Sequence, residues 1–410
     1  MEVKQVSTIL KTVLDEMTGA ENVVAEDLSN IVDIGDTIGN LVSDNKTLEK
    51  FIGSLHDHIG RVIFADDREY SPISYGLKRD SWEYGGLLEK VYIDLPEPDD
   101  NDAWALVSGG KYDDILVYSP PNATAKFFDK MITYSIPMSY AADRVIRTAF
   151  SNPSQVSAFF AAIENRIRTA YNFYNSSLEL RTLNNIVLEK NKGSKLVNLL
   201  PLYNAAGHVG ESNPITTAAA AIVNKNFLRF AAAEIAKESD FMTTLSEKFN
   251  DGGYPKQTPA AYQKFYVLSE FARNIEVYSE SDTYHNEFVK LIDGMRVPCW
   301  QGVKYESRVF DFETCSTVLG KPASGADNAA VITGVVGVLI DRDAAAVCCE
   351  NYRVTSFYNA GNETIKYYHK WDARYMNDMN ENAIVFVVQD DNTDYTPDDN
   401  NGGDNNGGET

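Results

Sequence analysis

The sequence predicts an α+β protein with strands at both ends of a helical middle. Three observations carry this. Short β-like runs, separated by Pro, Gly and Asp clusters, fill residues 59–140. A capped amphipathic pattern and an Ala-rich block with few breakers occupy the centre. From about residue 296 onward, apolar β-branched and aromatic segments return.

In chain order, residues 1–50 show an apolar stripe at helical spacing: Val6, Ile9, Leu10, Val13, Leu14 and Met17. Gly19, Gly35 and Gly39 interrupt it, so the segment reads as an extended arm with helical turns; an ordinary N-terminal helix is the alternative. The runs RVIFADD, KVYIDL, DDILVYSP and KMITYSIP then form a hairpin-rich excursion from Ile59 to about Tyr140. Its middle carries Trp82, Tyr84, the Gly85-Gly86 pair and the acidic LPEPDDND run, with Trp104 just beyond. Large aromatics beside flexible polar turns lack a continuous apolar run to pack on. The loop from Tyr70 to Asp114 is therefore expected to reach a neighbouring copy instead of its own core. There Trp82, Tyr84, Trp104 and Tyr112 would bury aromatic area, while Lys78 and Arg79 meet an acidic surface.

The clearest helix spans 153–174, where Val156, Phe160, Ile163, Ile167, Ala170 and Tyr174 share one face and Arg166 and Arg168 lie opposite. Asn152 is a capping residue, Pro153 takes the first helical position and Gln155 completes a capping-box-like pattern. After a polar connection at Asn191–Ser194, residues 216–250 read as two helices bending near Ser239-Asp240, and a further helix is expected over Pro259–Ile275. The β-like segments RVPCW, VITGVVGVLI, RVTSFYN, ETIKYYHKWDARY and AIVFVVQ follow. The final stretch, DDNTDYTPDDNNGGDNNGGET, holds six Asp and one Glu with no Lys or Arg. It cannot bury enough apolar surface to offset its ordering entropy and is expected to be a disordered acidic tail.

The totals bound the function. A chain of 410 residues with 44% hydrophobic and 23% charged residues can bury two or three sizeable cores. With 37 basic and 59 acidic residues its net charge is −22, which opposes sequence-reading contact with nucleic acid yet suits a container that must not stick to its contents. The four cysteines, Cys299, Cys315, Cys348 and Cys349, show no zinc-like spacing and read as reduced thiols in a cytoplasm. No signal-peptide pattern and no run of 18 uncharged apolar residues occurs, so neither secretion nor membrane spanning is expected.

Chemistry-bearing constellations are thin. His56-Asp57-His58 could offer two imidazoles on one side of a strand, but no third ligand lies nearby and a solvated turn explains it better. Asp341-Arg342-Asp343 ends a strongly apolar run, where a metal-dependent hydrolase would place ligands; a tight turn with an internal counter-charge is the stronger reading. Cys348-Cys349 follows AAAV and reads as buried thiols behaving as small apolar groups. No phosphate-binding loop and no nucleophile elbow is present. No catalytic residue, metal ligand or cofactor-binding residue is therefore assigned, and no cofactor is expected.

The order of elements resembles the major capsid proteins of tailed phages with the HK-97 fold. Two stretches are similar to those of the phi-29 group of short-tailed phages: LHDHIGRVIFADD, and YSIPMSYAADRVIRTAFSNPSQVSAFFAAIENRIRTAYNFYNSSLELRTLNNIV. A third, VITGVVGVLIDRDAAAVCCENYRVTSFYN followed by YYHKWDARYMNDMNENAIVFVV, resembles the strand leaving the axial domain and the closing strands of the peripheral domain. The phi-29 type adds a C-terminal immunoglobulin-like domain, in whose place this chain has the acidic tail. The resemblance implies an N-terminal arm at 1–58, an extended loop at 59–140, a peripheral domain with a long spine helix at 141–210 and 345–390, an axial domain at 211–344 and the tail at 391–410. It also implies a non-enzymatic subunit, assembled in the bacterial cytoplasm into pentamers and hexamers of an icosahedral virion capsid. Such a shell encloses double-stranded DNA without sequence-specific binding, works with portal and scaffolding proteins, and involves no membrane. An encapsulin-like nanocompartment shell is the second reading, and a hydrolase using Asp341 and Asp343 the third.

Overall fold

The computed structural model describes residues 3–18, 54, 74–79, 88–93, 95, 123–141, 153–190, 195–206, 214–280, 291–301, 310–320, 330–359 and 364–391. The chain forms two compact units: Met1–Lys90 with Lys126–Arg181 and Ala346–Met376, and Val91–Ala125 with Thr182–Ala345 and Asn377–Thr410.

The first unit begins with helix α1 (Val3–Thr18), whose Leu10, Val13 and Leu14 are buried as the apolar stripe requires. Its sheet has the order β10 (Ala345–Asn359), β11 (Thr364–Asn377), β3 (Met131–Ala141), and β11 runs antiparallel to β3 with Trp371 opposite Tyr134. Against it lies helix α2, Pro153–Glu189, which is 37 residues long. Trp371 is fully buried there, 4.9 Å from the Tyr171 ring of α2, and its indole N–H donates to Asn175 Oδ1 at 3.1 Å. A buried indole needs such a partner.

α2 runs 15 residues past the end read from the sequence. Its second half, NSSLELRTLNNIVLE, is rich in Asn, Ser and Thr, which weaken helices. Burial of Leu178, Leu183, Ile186, Val187 and Leu188 overrides that preference. The buried face also differs from expectation. Ile163 and Ile167 are buried, but the stripe continues through Tyr171 and leaves Tyr174 42% exposed. The side chains of Val156 and Phe160 lie outside the described residues.

The second unit is built on a mixed sheet in the order β4 (Leu196–Asn198), β12 (Ala383–Val387), β9 (Val335–Asp341), β5 (Gln263–Leu268), β6 (Met295–Val297). The outer pairs β12–β4 and β5–β6 are parallel, the inner pairs antiparallel. Every residue of β9 and β12 is buried, so these strands read as unbroken apolar runs and not as alternating ones. Around the sheet lie α3 (Leu199–Ala205), α4 (Ala218–Ala221), α5 (Lys225–Met242), α6 (Ser269–Glu280), α7 (Phe312–Ser316) and the antiparallel pair β7 (Val318–Gly320) and β8 (Ala330–Ile332).

Three sequence readings change here. The break in 216–250 falls at Val223-Asn224, because Asn224 Oδ1 accepts from the amides of Asn226 and Phe227 and caps α5, which then passes Ser239-Asp240 unbroken. The expected helix over Pro259–Ile275 is a 3₁₀ turn, then β5, then α6; QKFYVL becomes a strand because β9 and β6 are available on either side. The run VITGVVGVLI is two strands, divided at Gly334. Gly334 has φ +74°, and an added Cβ would stand 2.0 Å from the Val388 carbonyl oxygen. Only glycine fits that turn.

Since β4 and β12 share the second unit's sheet, residues 182–210 and 377–390 group with 211–344, whereas the sequence assigned them to the domain of the spine helix. Asp390 and Asp391, at the start of the acidic stretch, are held by the second unit. Asp390 Oδ1 accepts from the Ala218 amide at 2.8 Å. Asp391, 3% exposed, donates its amide to Thr216 O at 2.9 Å and accepts from Asn204 Nδ2 at 2.8 Å. Residues 392–410 lie outside the described residues.

Candidate assembly surface

Strand β1 (Leu88–Ile93) pairs with β2 (Ala123–Phe128) in a two-stranded sheet. In LEKVYI the half-buried positions are Leu88, Lys90 and Tyr92, while Glu89, Val91 and Ile93 face water. Val91 is 57%, Ile93 59%, Leu95 58% and Phe127 of β2 55% exposed. Val91 and Ile93, alternate residues on the exposed face of β1, mark an apolar surface that waits for a partner.

The side chains on the other face hold the hairpin down. Within the first unit, Leu88 packs on the buried cluster of Phe128, Ala346, Cys348 and Met376. Within the second, Tyr92 stacks on Tyr254 with ring centroids 5.7 Å apart and donates its phenol to Asp378 Oδ2. Lys256 Nζ lies 5.6 Å above the Tyr92 ring and pairs with Glu381, and the Tyr254 hydroxyl bonds Thr124 of β2. Burial first, then the bond and charge of Asp378, push the Tyr92 phenol far above the usual tyrosine range, so it stays a donor.

The residues singled out from the sequence distribute unevenly. Lys78 and Arg79 belong to a segment that packs on its own subunit: Lys78 forms a parallel bridge with Val347, and the Arg79 amide donates to Val347 O at 2.8 Å. Tyr75 and Leu77 of the same segment are buried, and their amides donate to Glu179 Oε2 at 2.8 and 3.3 Å. The expectation that the whole Tyr70–Asp114 loop leaves its own core is thus corrected at 74–79 and at β1; open backbone edges and alternating apolar residues give those segments partners at home. The side chain of Lys78 is half-buried, its ammonium 5.8 Å from the Tyr171 ring, and that of Arg79 is exposed. Trp82, Tyr84, Trp104 and Tyr112 lie outside the described residues, as do His56 and His58. The exposed face of Val91 and Ile93 was not singled out, although apolar residues at both parities of LEKVYIDL exceed what one buried face needs.

The side chains of the Asp341-Arg342-Asp343 turn are engaged both within the turn and by neighbouring residues. Asp341, 7% exposed, accepts from Thr258 Oγ1 at 2.7 Å and from the Asp343 amide at 2.9 Å, while the Arg342 guanidinium lies 3.9 Å from the Tyr262 ring centroid. One carboxylate oxygen serves the turn and the other binds the Thr258 hydroxyl. Among the described residues no group of three or more His, Cys, Asp or Glu could hold a metal ion. Cys348 is fully buried, and Cys349 Sγ donates to Asn175 Oδ1 at 3.3 Å.

Comparison with known proteins adds a family and a fold. The model of the family described as Phi29-like phage major capsid protein matches residues 6–387. A chain in the structure of the head fibre and inner core protein gp22 of native bacteriophage P68 overlays with a TM-score of 0.52 at 11% identity, covering 76% of this chain and 83% of that one. A chain in the capsid structure of Staphylococcus phage Andhra overlays with a TM-score of 0.46 at 12% identity, again covering 76% and 83%. Comparison with curated proteins finds no match. The architecture is the HK-97-like α+β fold.

Proposed function

The chain belongs to the family of Phi29-like phage major capsid proteins, and from that premise we propose that it builds the shell of a virion head through contacts led by the β1–β2 hairpin. It is a shell-forming capsid protein. The observation carrying the strand's role is the exposed apolar face of Val91 and Ile93 on β1, whose other face is anchored through Tyr92. Burying those side chains against a second copy removes apolar area from water at about 25 cal/mol per Å².

The shell is taken to enclose double-stranded DNA, to be made of pentamers and hexamers, to form in the bacterial cytoplasm and to work with portal and scaffolding proteins. A net charge of −22 suits enclosure without adhesion. The subunit is proposed to have no catalytic site, supported by the engagement of both Asp341 carboxylate oxygens, by the Asp343 amide and by the Thr258 hydroxyl. Lys78, Arg79, Trp82, Tyr84, Trp104 and Tyr112 remain proposed contacts to neighbouring copies. So does the division into arm (1–58), extended loop (59–140), peripheral and axial domains and tail.

The test is negative-stain microscopy and sedimentation of the full chain beside Val91→Asp/Ile93→Asp. Closed particles from the parent, and folded but unassembled subunits by circular dichroism from the variant, are expected. Normal particles from the variant would remove the hairpin from the interface; a parent that stays monomeric with scaffolding protein supplied would count against the shell itself.

A further inference from the structure

The three-stranded sheet of the first unit has two faces of different character. On β11, Tyr367, His369, Trp371 and Ala373 are fully buried, so the alternate residues from Lys366 to Arg374 lie on the opposite face. Lys366 there is exposed and Lys370 half-buried. On the neighbouring strand β3, Ser135 and Pro137, the register partners of Lys370 and Tyr368, are exposed, so the face is open beside the lysines. The carboxylates bonded to this face are already engaged. Asp372 accepts from Arg353 Nη1 and Nη2 at 2.7 and 3.1 Å and from Thr133 Oγ1 at 2.6 Å, and Glu350 pairs with Arg374. Among the described residues neither Lys366 nor Lys370 has an ion-pair partner; Lys370 Nζ lies instead 5.6 Å from the Tyr368 ring centroid. In a chain of net charge −22 these two cations form a local positive row. Four residues apart on one strand, their Cα atoms are separated by about 13 Å.

We propose that the row of Lys366 and Lys370 is a docking strip for the acidic C-terminal segment of a neighbouring copy, residues 394–399, within the assembled shell. The inference rests on the shell-forming reading of the chain. Beyond Asp391 the sequence carries Asp394, Asp398, Asp399, Asp404 and Glu409 and no basic residue. Asp394 and Asp398 have the same four-residue spacing as the two lysines, so on extended backbone their carboxylates face one side about 13 Å apart. Pro397 fixes its own φ and drives Thr396 toward extended backbone, which favours that conformation. Asp399 adds a third charge. Exposed ion pairs each contribute little, so two lysines would not retain a free acidic peptide. A shell changes this. A neighbour whose Asp390 and Asp391 are bonded in its second unit holds Asp394 within about 10 Å of a fixed point and supplies it at roughly millimolar effective concentration. Enclosed DNA is the competing polyanion, but the chain's overall negative charge repels it, whereas the acidic segment is delivered by its own tether.

Particles are assembled from an equal mixture of unlabelled and isotope-labelled full chain, treated with a water-soluble carbodiimide and mapped by mass spectrometry. Amide crosslinks from Lys366 and Lys370 to Asp394, Asp398 or Asp399 are expected, with mixed-label pairs as frequent as same-label ones and yields that fall as salt is raised. Lys366→Glu/Lys370→Glu should fold, by circular dichroism, and lose these crosslinks while those at other lysines persist. Adding Asp394→Lys/Asp398→Lys to that variant should restore them with the charges exchanged. Crosslinks spread evenly over the surface lysines would overturn the assignment, as would same-label pairs alone, which place the segment on its own copy. So would protection of the two lysines from acetylation that appears only when DNA is packaged and survives truncation after Asp391. Failure of the parent to form particles would strike the shell reading itself, whereas particles without these crosslinks strike only the docking strip.

Discussion

Replacing Tyr92 by Phe isolates one contact at the foot of the exposed hairpin. The ring keeps its stack on Tyr254 and its place under Lys256, so only the phenol bond to Asp378 disappears. A hydrogen bond to a charged group contributes about 1.5–3 kcal/mol, and removing it from a buried carboxylate lies toward the upper end. Asp378 is 1% exposed and keeps the amide of Asn380 at 3.1 Å, while Tyr92 is only half-buried and water can follow the lost hydroxyl. These considerations balance near ~2 kcal/mol. Native-state hydrogen exchange reads this directly: at 1.36 kcal/mol per decade, protection of the β1 and β2 amides should fall about 30-fold, with β9 and β12 unchanged. Protection within twofold of the parent would refute the idea that this bond sets the hairpin, as would an equal loss in β9.

Gly334→Ala should destabilise by ~3 kcal/mol, combining a left-handed side-chain penalty of about 1–2 kcal/mol with disruption of the Val388 amide's 2.7 Å bond to Gly334 O; an unchanged urea midpoint would contradict this. Burial lowers His369 from 6.5 to about 4, so the unfolded chain binds the extra proton first: stability should be full above pH 6.5 and fall as pH drops toward 4, and His369→Gln should flatten that part of the thermal-midpoint curve. Truncation after Asp391 should leave the thermal midpoint within ~0.5 kcal/mol of the parent, whereas truncation after Gln389, which removes the bonds of Asp390 and Asp391, should cost about 2 kcal/mol; equal effects would mean that these residues do not pin the chain.

What could be read from the sequence follows how local each cause is. The start of α2 was legible because Pro153 and the spacing of Ile163 and Ile167 are local signals; its extension to Glu189 was not, since Leu178 and Leu183 stabilise polar helix only through distant partners. β5 was misread as helix for the same reason: QKFYVL becomes a strand by pairing with β9, whose residues lie about 70 positions further on. The turn at Asp341 was legible, because its carboxylate bonds an amide two residues away. The candidate surface was half legible. Sequence marked 59–140 as a protruding excursion, but in LEKVYIDL apolar residues occupy both faces, and only the anchoring of Tyr92 decides that Val91 and Ile93 are the ones left in water.

The strand order of the second unit's sheet also bears on when a subunit first exists. β12, which closes the sheet, lies between β4 and β9, yet it is translated 191 residues after the start of β4 is reached at Leu196 and Val387 completes it. At roughly 5–20 residues per second, β4 waits about 10–40 s on the ribosome for its neighbour. A nascent chain therefore cannot present the finished sheet of the second unit until Val387 has been made.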